Sequence, residues 1–109
     1  MAVVNIDCEQ ITNWASFHLV FKEACGFPDF YGANMDAWID CFSDLRDEYG
    51  MTCFKLADDE VLHIELHHVA DLNERLPEIV AELVKCTALV NARYVDWEQS
   101  PAISLVRVG

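Results

Sequence analysis

The chain has 109 residues, with 19 Asp or Glu against 7 Lys or Arg, a formal net charge of −12. Its apolar fraction of 53% excludes disordered, collagen-like and low-complexity classes, and at this length one domain spanning residues 1–109 is expected. A domain this acidic repels phosphate backbones and anionic bilayers, so the expectation is no direct nucleic acid and no membrane among its partners; its complements are cations, metals or basic proteins.

Ala2–Ile6 is a short β-rich run and reads as a buried strand. Thr12 or Asn13 can cap a helix with apolar positions at Trp14, Phe17, Phe21 and Ala24, stopped by Gly26 and Pro28. Asp29–Ala33 is a loop centred on Gly32, and Asn34 caps a second helix running to about Glu48. A strand near Met51–Leu56, a polar turn at Asp58–Glu60 and a second strand at Val61–His67 follow. In the latter, Leu62, Ile64 and Leu66 alternate with His63, Glu65 and His67, the pattern of a half-exposed strand. Asp71 and Glu74 suggest a capping box for a helix whose apolar face runs from Leu72 to Val90, bent or opened at Pro77. After a loop at Glu98–Pro101, Ala102–Val108 closes the chain as an apolar strand. The order β-α-α-β-β-α-β predicts an α/β fold, with a small, mainly parallel sheet packed with helices and an extra hairpin strand.

Five cysteines (Cys8, Cys25, Cys41, Cys53, Cys86) include no C-x-x-C pair and are odd in number, which favours reduced thiols over a disulfide framework. The first ten residues lack a basic run and carry Asp7 and Glu9, so a signal peptide is not expected. The predicted localisation is cytoplasmic.

The helix after Asn34 carries the main signal. Met35, Trp38, Cys41, Phe42 and Leu45 form its apolar face, and Asp36, Asp40, Asp44 and Asp47 fall within about 80° of arc on the other. Helix stability does not select such a stripe: like charges at i and i+4 cost about 0.2–0.5 kcal/mol per pair, and Asp44 and Asp47 oppose the dipole. A solvated acidic face is the plain reading; a surface awaiting a cationic partner is the sharper one.

The string Phe27-Pro28-Asp29-Phe30-Tyr31-Gly32-Ala33-Asn34-Met35-Asp36-Ala37-Trp38-Ile39-Asp40-Cys41-Phe42 resembles the segment leading into and through the second helix of the barstar family, intracellular inhibitors of barnase-type bacterial ribonucleases. The resemblance implies a three-stranded parallel sheet packed with helices, no catalysis and no cofactor. It implies binding to a basic ribonuclease, barnase-like or a toxin nuclease, by an acidic helix and preceding loop that occlude the active site, the role of an immunity protein. Asp36 and Asp40 match the family's helix aspartates that pair with nuclease cations, and Tyr31, Gly32 and Asn34 match the loop and helix start. Phe30, Ile39 and Asp44 complete the implied contact surface. Phe30 replaces an interface tyrosine of the family, and Ile39 a tryptophan, with Trp38 shifted onto the buried face. The family also uses an acidic residue from a later helix, for which Asp96 and Glu98 are candidates. The hairpin strand at Val61–His67 reads as an insertion.

Two rival readings come from the residues themselves. His63, Glu65, His67 and His68, or Asp36 with Asp40, offer ligand types for a metal-dependent hydrolase. No Gly-rich phosphate loop or nucleophile signature accompanies them. Alternatively, the acidic surface serves a regulatory interaction module with a non-nuclease partner. The leucine stripe from Leu72 to Val90 is a core face, too short for a coiled coil. His18 is expected to be an ordinary surface or boundary residue.

Overall fold

A computed structural model describes residues 2–109. Strand β1 (Ala2–Asp7) leads through a 3₁₀ turn at Cys8–Gln10 to α1 (Trp14–Cys25) and α2 (Met35–Phe42). Then come β2 (Leu62–His67), α3 (Val69–Arg75), α4 (Pro77–Asp96) and β3 (Ile103–Val108). The three strands form one parallel sheet in the order β1-β2-β3, with Val4 opposite Ile64 and Ile64 opposite Leu105. The α/β class and parallel sheet follow the sequence reading. Val61–His67 is no hairpin insertion, however: its ordered part, β2, is the central strand, paired in parallel on both sides.

The alternation in β2 sorts the two sheet faces as expected. Leu62, Ile64 and Leu66 are buried with Val4, Ile6 and Ile103, while His63, Glu65 and His67 are half-exposed. Helices cover the first face, where Phe17 and Phe21 of α1, Trp38 and Phe42 of α2, and Ile79, Leu83, Val90 and Tyr94 of α4 form the core. Trp38 packs 4.6 Å from Phe42 and edge-on to Phe21 at 5.7 Å, geometries that aromatic quadrupoles favour.

Helix boundaries follow local chemistry. At the start of α1, the Asn13 side chain accepts from the Ser16 amide and Ser16 Oγ accepts from the Asn13 amide; Gly26, at φ 68°, ends the helix in the left-handed region. Pro77 opens α4 at its first turn, where a missing N–H costs nothing. The expected Asp71–Glu74 capping box does not form: α3 begins after His68, itself at φ 63°, with no side-chain cap. Asp71 instead pairs with Arg75 at 2.8 Å, and that guanidinium also donates to the Ile11 and Cys8 carbonyls.

Two expectations between α2 and β2 are corrected. Helix α2 stops at Phe42 rather than Glu48, because the buried Tyr94 hydroxyl donates to the Phe42 carbonyl at 2.7 Å and accepts from the Leu45 amide at 3.0 Å. Met51–Leu56 is not a strand. Its amides are spent on distant segments rather than on a strand partner: Cys53 N–H on the Cys25 carbonyl and Leu56 N–H on the Leu45 carbonyl, each at 2.8 Å. The order is therefore β-α-α-β-α-α-β. No helix among the described residues is long and apolar enough to cross a membrane.

Candidate partner-binding site

The loop before α2 is pinned at both ends. Tyr31 N–H donates to the Pro28 carbonyl at 2.9 Å, and the Tyr31 ring packs 4.7 Å from buried Phe27. Asn34 caps α2 by accepting from the Ala37 amide at 2.8 Å, while its Nδ2 reaches back to the Gly32 carbonyl at 3.3 Å. The left-handed residue is Ala33, at φ 51°, rather than Gly32. Gly32 is nonetheless tight, since a Cβ there would lie 3.2 Å from Asn34 Nδ2. Phe30 projects from this frame with 79% of its surface exposed. Together with Pro28, Tyr31, Asp40 and Met51 it borders a shallow depression of about 210 Å³.

The Tyr31 hydroxyl reaches His18 Nδ1 at 2.6 Å. His18 is no surface residue: it is 5% exposed, stacked on Trp14 and edge-on to Phe17. Burial lowers its pKa below the usual imidazole value. A sequence signal for this existed, because Trp14, Phe17, His18, Phe21 and Cys25 recur at helical spacing on one face.

Helix α2 separates the aspartates that the stripe had grouped. Asp36, in the first turn, and Asp40 are exposed on the outer face, one turn apart. Among the described residues Asp36 makes no ion pair. Asp40 does: Arg93 Nη1, from the last turns of α4, lies 3.0 Å from Asp40 Oδ1 and 3.1 Å from Ser43 Oγ. Asp44 lies beyond the helix and is half-buried, both its oxygens accepting the Met51 amide at 3.2 Å. Desolvation raises its pKa, against the lowering effect of that amide. Asp44 therefore holds a turn, while Asp47 beyond it is exposed. Ile39 departs further from the contact set: at 7% exposure its side chain belongs to the core. Trp38 is wholly buried, in keeping with its expected shift inward. Arg93 gave no signal in the sequence, since 53 positions separate it from Asp40.

The histidine strand does not assemble a metal cluster. His67 Nε2 contacts Asn5 Oδ1 at 2.9 Å and Glu65 at 3.6 Å. The close-set group among the described residues is instead Asp7, Glu9 and His68, all exposed, with His68 on Glu9 at 2.9 Å. Of the proposed later acidic contacts, Asp96 ends α4 and Glu98 sits in the following turn at φ 61°. All five cysteines are free, Cys53 being exposed and the others buried; burial pushes the Cys8, Cys41 and Cys86 thiols up to about 11, where they are protonated and inert.

The surface formed by the 28–34 loop and the outer face of α2 thus combines an exposed aromatic with two carboxylates one turn apart. It can accept charge-assisted hydrogen bonds from guanidinium and ammonium groups. A family model described as Barstar (barnase inhibitor) matches residues 1–106 of the chain. No curated protein shows a significant match.

Proposed function

The chain belongs to the barstar family, and from that premise we propose that it inhibits a barnase-type ribonuclease by stoichiometric occlusion of the active site. A site built to hold RNA presents a cluster of cations, and carboxylates on a preformed helix can occupy the positions of substrate phosphates. The observation that carries this reading is the placement of Asp36 and Asp40 on the exposed face of α2, beside a loop whose backbone is fixed from both ends. In this role Phe30, Tyr31, Gly32 and Asn34 shape the contact surface, Asp44 supports it from below, and the protein binds without catalysing a reaction. It acts in the cytoplasm, where the free cysteines stay reduced.

The test is titration of barnase activity with the purified protein. A sharp endpoint at one inhibitor per enzyme is expected. Asp36→Ala and Asp40→Ala should keep the parent's circular dichroism and thermal midpoint, since both side chains are exposed. Each should weaken binding by about 2–5 kcal/mol, the range for removing one partner of a desolvated charge pair and one informed by nuclease–inhibitor complexes of this family. Parent affinity in both variants would refute the assignment of the surface.

A further inference from the structure

Asp40 is already occupied by a cation of the same chain. Arg93 Nη1 bridges Asp40 Oδ1 and Ser43 Oγ, and the Ser43 hydroxyl in turn donates to the Ile39 carbonyl at 2.6 Å. The pair is exposed, with 45% of the Arg93 side chain and 60% of the Asp40 side chain in solvent. Exposed ion pairs are weak and exchangeable. Only one guanidinium nitrogen is engaged, whereas a fully docked arginine uses two. Asp36, one turn earlier, has no such competitor among the described residues.

We propose that Arg93 is a specificity-determining residue of the binding surface: it competes internally for Asp40 and yields it only to a partner whose cationic site outbids one exposed guanidinium. This rests on the proposed nuclease-binding role. The two carboxylates are thereby inequivalent. Asp36 is free to attract any basic protein. Arg93 holds only Oδ1, so bidentate engagement of both Asp40 oxygens requires that Arg93 be displaced, and the released guanidinium then needs an acceptor or water at the rim of the complex. A scattered set of surface lysines cannot meet that demand, whereas a convergent cluster of arginine and lysine can.

The experiment measures affinity for two probes, barnase and a hexalysine peptide, by calorimetry at low salt. The proteins are the parent, Arg93→Ala, Arg93→Gln, Asp40→Ala and the double variant Asp40→Ala/Arg93→Ala. Arg93→Ala and Arg93→Gln should each bind both probes more tightly, by about two- to fivefold. The gain should be larger for hexalysine, so that discrimination in favour of barnase narrows. In the Asp40→Ala background, removing Arg93 should change hexalysine affinity less than twofold. Equal or weaker binding of both Arg93 variants to hexalysine overturns the proposal, as does a gain that persists without Asp40. If the parent does not bind barnase, the nuclease assignment fails separately, and the hexalysine comparison still decides whether Arg93 withholds Asp40.

Discussion

His18 and Tyr31 show how one contact couples the buried layer to the exposed loop. The 2.6 Å hydrogen bond between them ties α1 to the segment that carries Phe30. Charging the imidazole is unfavourable because it is desolvated among Trp14 and Phe17. The folded-state pKa lies below the unfolded one, so the unfolded chain binds the proton more readily and stability increases with pH. The contribution of neutral His18 is complete above the ordinary value of 6.5 and is lost as pH falls from there toward the lowered folded value. Urea midpoints of the parent and His18→Gln across pH 5–8 will check this. The parent should be the more stable at pH 8, and the gap should close on acidification; a constant gap would place the stability elsewhere.

At the scale of elements, the end of α2 is set by a single hydroxyl. Tyr94 takes both the Phe42 carbonyl and the Leu45 amide out of the helical ladder, so that the chain turns and Arg46 swings toward the Glu60 and Ser100 carbonyls at 2.8 and 2.7 Å. Tyr94→Phe leaves two buried backbone groups unpaired and should cost about 1–3 kcal/mol in chemical denaturation, with the ring packing kept. This contact also explains what the sequence hid. Periodicity of the apolar residues continued through Leu45 and implied a helix to Glu48, because Leu45 is indeed buried. It reaches the core from a turn, a geometry that only a partner 49 residues away imposes. The same blindness produced a strand at Met51–Leu56. Its apolar residues Phe54 and Leu56 do pack on the core, yet nothing in the local pattern reveals that its amides are spent on Cys25 and Leu45. By contrast, α1, α2's start and β2 were legible because their signals are local: a capping side chain, a left-handed glycine, strict alternation. The exposure of Asp36 and Asp40 on α2 was legible for the same reason. Asp44 lost its place in the stripe once the helix ended before it.

For the whole molecule, the distribution of cations matters more than their number. Of the 7 Lys and Arg, three guanidiniums are used internally: Arg46 and Arg75 on backbone carbonyls and Arg93 on Asp40. Each tie joins segments far apart in the chain, so these three act as cross-links while most of the acid remains in solvent. The net charge of −12 therefore generates a long-range field that attracts a basic enzyme before any contact forms. Encounter and docking should separate experimentally. Raising ionic strength from about 0.01 M to about 0.15 M shortens the screening length from about 30 Å to about 8 Å, and the association rate constant with barnase should fall by about tenfold or more. The dissociation rate constant, if short-range contacts form at the proposed surface of Asp36, Asp40 and the 28–34 loop, should change much less. Stopped-flow fluorescence over a salt series measures both. An association rate insensitive to salt would mean that the surplus acid serves solubility alone, and that capture depends on the local geometry of α2 without help from the field around it.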